Sequence, residues 1–156
     1  MGLSLKKEEM IQYLENIKAP GENFSCMLWG TVIAKLSSFH DHSAASIIMA
    51  FTLAPGVGGF LNNAFCYIGV TEQKIYVVAL DSYNTSKIVG TFAVPFANIT
   101  SFKGGKAFGS YTVTLECGER ISLTVKSTSV GTNIKDQKER MAEFVTAMEA
   151  LGSRFR

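Results

Sequence analysis

The stretch YTVTLECGERISLTVK, from Tyr111 to Lys126, decides the fold class, because apolar and polar residues alternate along it on both sides of a glycine. Tyr111, Val113 and Leu115 share one parity and Thr112, Thr114 and Glu116 the other; Ile121, Leu123 and Val125 repeat the pattern against Ser122, Thr124 and Lys126. Period-two alternation marks a half-buried strand, and two such runs joined by a short Gly-containing segment read as a β-hairpin. A register with Glu116 opposite Arg120 sets Leu115 against Ile121, Val113 against Leu123 and Tyr111 against Val125, and leaves the three-residue loop Cys117-Gly118-Glu119. A slip by one residue turns half of the apolar set to water. The hairpin therefore predicts an antiparallel sheet that meets a core on one face.

Working outward, Asn133 can cap a helix over about 133–151, in which Ile134, Met141, Phe144, Val145, Met148 and Leu151 form one stripe and Gly152 is the stop. Upstream, strands are expected at about 65–71, 74–80, 87–94 and 99–103, with a tight turn at Thr71-Glu72-Gln73-Lys74 and a polar loop from Asp81 to Ser86. Phe24 to Ile33 reads as a first strand without a clean polar face, so both of its faces are candidates for burial. Before it, an amphipathic helix over about 4–18, capped by Ser4 and ended by Pro20-Gly21, carries Met10, Tyr13, Leu14 and Ile17 at helical spacing. The expected architecture is a single domain over 1–156, an all-β-dominated α+β fold whose bent sheet or barrel is closed by the C-terminal helix.

Residues 65–151 carry a family resemblance. Gly69-Val70-Thr71, the turn, Lys74-Ile75-Tyr76-Val77-Val78, then Val94-Pro95-Phe96-Ala97-Asn98-Ile99-Thr100-Ser101-Phe102, the hairpin and a closing helix follow one another in an order that resembles the bacterial pleckstrin-homology-like domains, a family of unknown function. Pro20-Gly21-Glu22, just before the first strand, also looks like the start of such a domain. The resemblance implies a β-barrel plugged at one end by a helix, and a binding module rather than an enzyme. The Lys-x(n)-Arg-x-Arg pattern of lipid-binding eukaryotic members is missing, with only Lys35 after the first strand, so phosphoinositide recognition does not carry over.

One segment departs from that pattern. No charged residue occurs from Ser43 to Thr71, and the insert from about 35 to 63 is long and apolar. A spanning helix needs about 20 predominantly apolar residues, but Pro55, Gly56, Gly58 and Gly59 cut this stretch in two. Burial in protein is the expectation. Ile47, Ile48, Phe51, Leu53 and Phe60 are the candidate self-association residues, since a segment too broken to span a membrane and too apolar for an ordinary loop suits a homo-oligomer interface. The alternative is a peripheral membrane or lipid-binding module that dips the same residues, 43–61, into lipid.

Composition bounds the remaining choices. Of 156 residues, 47% are hydrophobic and 18% charged, too apolar for disorder. Fifteen Lys and Arg against thirteen Asp and Glu leave a formal charge of +2 without a basic run, so nucleic acid is not an expected partner. Cys26, Cys66 and Cys117 are odd in number and far apart, which predicts reduced thiols and a cytoplasmic setting rather than a disulfide framework. The N-terminal residues have neither a signal-peptide core nor a myristoylation pattern, Lys6 standing where Ser or Thr is wanted.

The small motifs that could carry chemistry are incomplete. His40-Asp41-His42 has a ligand-like spacing without a third ligand, so no metal is expected. Gly56 to Gly59 lacks the Lys-Ser/Thr ending and the spacing of a phosphate loop. Lys103-Gly104-Gly105-Lys106 is expected at a loop tip, where Lys103 and Lys106 are the candidate anion-binding residues. No nucleophile paired with a base and no set of acids is apparent, so neither catalysis nor a cofactor is predicted.

Overall fold

In the computed structural model, the described residues are 5–35, 52–53, 60–81, 87–96, 99, 101–107, 110–117, 121–126 and 134–150. Helix α1 covers Lys7–Ile17. Eight strands follow: β1 (Cys26–Lys35), β2 (Thr52–Leu53), β3 (Phe60–Val70), β4 (Lys74–Leu80), β5 (Ile88–Pro95), β6 (Ser101–Ala107), β7 (Ser110–Cys117) and β8 (Ile121–Lys126). Helix α2 (Gln137–Ala150) comes last. All strand pairings are antiparallel, in the order β2-β5-β4-β3-β1-β8-β7-β6.

The expected dominance of the sheet and the two helices is present, but closure into a barrel is not. β2 and β6 stand at opposite ends of the order, and among the described residues no ladder joins them. The sheet also parts at β1. This strand pairs with β3 from Cys26 to Lys35, yet with β8 only from Thr31 to Ala34. Along its first half, helix α2 takes the place of a strand.

Two apolar clusters that share no buried residue lie on opposite faces of the sheet. The first joins Leu28, Val32, Cys66, Ile68, Ile75, Val77, Phe92, Val94, Leu123 and Val125 to Met141, Phe144 and Met148 of α2. Phe144 is fully buried and meets Phe102 of β6 edge-on at 6.2 Å, so α2 reaches from β1 to the far end of the sheet. The second cluster joins Trp29, Tyr67, Tyr76, Val78 and Leu80 to Leu5, Met10 and Leu14 beneath α1, with Ile134 at its border. Strand β4 is buried at every position, odd residues toward one cluster and even toward the other. A strand covered on both faces reads as an unbroken apolar run, which is what Ile75 to Leu80 is.

Four expectations need correction. The hairpin pairs Leu115 with Leu123 and Cys117 with Ile121, two residues away from the expected register. A two-residue shift keeps every apolar residue on its face, so alternation excludes odd slips only; the Glu116–Arg120 pair, worth less than about 1 kcal/mol at a surface, does not decide between even ones. The Lys103–Lys106 segment is not a loop tip but the middle of β6, paired with β7 from Thr114 to Tyr111. Strand β3 begins at Phe60, so the last positions assigned to the insert are already strand. The helices start later than expected: Lys6 is the N-cap of α1 and makes no side-chain cap bond, while Ser4 and Asn133 lie outside the described residues.

Candidate functional site

The densest polar cluster sits where the chain leaves α1 and turns into β1. Gly21 adopts φ of +87°, a conformation open to glycine at little cost, and swings Glu22 back under the β3–β4 turn. Its carboxylate accepts at both oxygens: Thr71 Oγ1 donates to Oε1 at 2.9 Å, while Tyr76 OH and Lys74 Nζ approach Oε2 at 3.0 Å each. The Tyr76 hydroxyl in turn accepts the Ala19 N–H at 3.0 Å, and Thr71 Oγ1 accepts the N–H groups of Gln73 and Lys74 at 3.2 Å. Lys74 also lies over the Tyr76 ring, 5.5 Å from its centroid. Two separated stretches of sequence, 19–22 and 71–76, thus meet at one carboxylate.

Burial of Glu22 raises its carboxyl, but the hydrogen bonds from Lys74, Thr71 and Tyr76 and the lysine charge outweigh it and hold the group below its ordinary value. The same bond to Glu22 lifts Lys74 above the usual lysine range, against a desolvation effect that lowers it. Both groups stay charged, each with its partner inside the cluster. Thr71, Tyr76 and Lys74 thus occupy three of the roughly four acceptor positions of this carboxylate. The adjoining cleft, lined by Gly21, Glu22, Asn23, Glu72 and Gln73, holds about 90 Å³, room for a few waters and far below the roughly 300 Å³ at which small-molecule sites begin.

A second polar device holds α2. Extending the β1–β8 register would set Trp29 opposite Lys126, but the buried side chain of Gln137 stands between them. Its Nε2 donates to the carbonyls of Trp29 and Lys126 at 2.9 Å, and its Oε1 accepts the Trp29 N–H at 3.4 Å. One turn on, Arg140 donates to the Met27 carbonyl at 3.0 Å and to Asp136 at 2.8 Å. Two side chains of α2 thereby satisfy a strand edge that β8 leaves unpaired, as buried backbone groups require. Beyond them Ser25, Ala142, Glu143, Thr146 and Ala147 line a shallow groove between α2 and the start of β1.

The residues singled out from sequence are not gathered into one place. Lys103 and Lys106 are both in β6, three positions apart and so of opposite parity along the strand. Leu53 pairs with Gly90 in β2, and Phe60 pairs with Lys35 in β3. Ile47, Ile48, Phe51, His40 and His42 lie outside the described residues. Cys26 and Cys66 are buried free thiols; burial, with Glu143 adding and Arg140 opposing, pushes Cys26 up to about 12, and burial likewise pushes Cys66 upward. Among the described residues no cluster of three metal-ligating side chains occurs, and no helix is long and apolar enough to cross a membrane.

Glu22, Thr71, Lys74 and Tyr76 each fall within a motif of the sequence, but 49 and more positions separate Glu22 from the others, so no local pattern joins them. Gln137 was missed altogether. It stands in the polar run Lys135-Asp136-Gln137-Lys138, where nothing marks one side chain as interior. No protein-family model, curated protein or solved structure matches this chain.

Proposed function

We propose that this chain is a non-catalytic binding or assembly module of the pleckstrin-homology-like kind, which self-associates through its uncharged insert. Support for the fold-level part comes from the element order. The strand pair around Thr71–Lys74, the strand following Pro95, the last hairpin and a helix with its stripe on the sheet succeed one another as the resemblance implies. Support for the non-catalytic part comes from the polar clusters, whose groups bind one another and the backbone. Cys26 and Cys66, buried as free thiols, suit a reducing cytoplasm.

The observation that carries self-association is that both faces of the central strands are already occupied. β4 is buried throughout, with α2 over one cluster and α1 over the other, and β2, a two-residue part of the insert, pairs with β5. This reading assigns Ile47, Ile48 and Phe51 to a contact with a second copy, and at about 25 cal/mol per Å² a few hundred Å² of apolar contact supplies several kcal/mol of association. A second copy is the default partner, because most soluble oligomers are homo-oligomers.

Light scattering on the purified protein, without detergent, tests this. The expected mass is a multiple of 17.0 kDa, and the Ile48→Asp/Phe51→Asp variant is expected to fall to a folded monomer. A monomeric wild type that pellets with anionic vesicles would replace the proposal by the lipid-binding reading. Unfolding of the double variant would place the insert in the monomer's own core.

A further inference from the structure

We infer that α1 is a strap that opens and closes as a unit over one face of the sheet, latched at its trailing end by Glu22, while the rest of the domain stays folded. The inference is independent of the self-association reading. It starts from the separation of the two clusters: α1 contributes Met10 and Leu14 only to the second, whereas α2 contributes Met141, Phe144 and Met148 only to the first. Removing α1 uncovers one face of β1, β3 and β4 and leaves the packing of the opposite face intact. The border is Ile134, beside the first turn of α2, which belongs to the second cluster.

The attachments of α1 have the form of a strap. At its leading end the Lys6 N–H donates to Tyr67 OH at 3.1 Å, and at its trailing end the Ala19 N–H donates to Tyr76 OH at 3.0 Å. Both acceptors are phenol hydroxyls on the covered face, and the Tyr67 hydroxyl is also hydrogen-bonded to the Glu9 side chain of α1. Between them, Met10 and Leu14 are completely buried while Tyr13 and Ile17 are half-buried. The chain turns at Pro20-Gly21, where Gly21 has φ of +87°, and immediately after it Glu22 is bound to Thr71, Lys74 and Tyr76 of the sheet. Glu22 thus acts on the strap from the body side, because it orients the same hydroxyl that takes the Ala19 N–H. Regions with few buried anchors and their own boundary open with less free energy than the whole domain. The face uncovered would present Tyr67, Tyr76 and Trp29, an aromatic surface with polar tips.

Native-state hydrogen exchange on the full chain tests the device. Amides from Met10 to Lys18 are expected to exchange through an opening that leaves β3, β4 and α2 protected. Glu22→Gln and Tyr76→Phe, two variants that keep side-chain volume, are expected to accelerate α1 exchange about tenfold or more without moving the α2 amides. Tyr67→Phe is expected to do the same from the other end. Equal acceleration in α1 and α2, or α1 amides that exchange only with global unfolding, would overturn the strap, and unchanged α1 exchange in Glu22→Gln would overturn the latch.

Discussion

The two faces of this sheet are covered by different means. On the α2 face the cover is apolar: Phe144, Met141 and Met148 enter the first cluster, and the polar contribution is the Gln137 amide and the Arg140 guanidinium bound to strand backbone. On the α1 face the cover is thinner and its ends are polar, two phenol hydroxyls on helix-end amides and a buried ion pair beyond. Burial of apolar area is indifferent to direction, so α2 can bridge strands that part from one another, whereas hydrogen bonds fix α1 at defined points. The first arrangement stabilises through apolar burial. The second adds fixed positions and a dependence on charge.

The largest test of the comparison is Phe144→Ala. A fully buried Phe that touches Phe102 across the cluster is expected to cost about 3–5 kcal/mol on chemical denaturation. A loss below about half a kcal/mol would mean that α2 does not close the first cluster, and the contrast between the faces would collapse.

A smaller and pH-dependent effect belongs to the other face. Lys74→Met leaves the Glu22 carboxylate buried without its cation, and breaking such a pair costs about 3 kcal/mol, part of it recovered here by the bonds from Thr71 and Tyr76. The sign with pH follows from the two directions. Glu22 is depressed, so its contribution is present above the ordinary carboxylate pKa of about 4.3 and is lost as pH falls through its lower folded value. Lys74 is raised, so its contribution is present below about 10.4 and is lost as pH rises through its higher folded value. Urea denaturation between pH 3 and pH 7 is expected to show a wild-type acid decline that Glu22→Gln flattens. An unchanged acid slope in that variant would show that the pair contributes nothing to the pH dependence.

The legibility of these regions in sequence follows the physics of each. Apolar periodicity is a local property, so the hairpin face of Ile121, Leu123 and Val125, the α2 stripe and the α1 stripe were all readable, and β4 was placed at its observed bounds. Quantities that depend on parity alone were not: alternation of Leu115 and Leu123 fits two registers equally well. The glycines of Lys103-Gly104-Gly105-Lys106 suggested a turn, yet ladder pairing with Thr112, Val113 and their neighbours prevailed over local preference. The polar hub and the Gln137 wedge were hidden for another reason. A side chain that satisfies a distant backbone or carboxylate leaves no periodic trace, and Glu22 and Gln137 have the same composition signature as exposed surface residues. Gly30 shows the same limit, since its need to be glycine comes from the Thr124 carbonyl, which a Cβ would meet at 2.5 Å.

The smallest expected effect separates geometry from context, because the chain holds a second Lys–Glu pair with a shorter contact than the first. Lys18 Nζ lies 2.8 Å from Glu15 Oε1, against 3.0 Å for Lys74 and Glu22. Distance alone would rank the Lys18 pair higher. Exposure reverses the ranking: the Glu15 side chain is 46% accessible and the Glu22 side chain 11%, so water and salt screen the first pair far more than the second. Lys18 also rests near the Phe24 ring, 5.8 Å from its centroid, a contact that does not need Glu15. Glu15→Gln is therefore expected to change stability by less than about 0.5 kcal/mol, with little difference between low and high salt. If Glu15→Gln instead matched the loss from Lys74→Met, short contacts rather than burial would set the strength of ion pairs on this face, and the Glu22 hub would lose its claim to be the latch of α1.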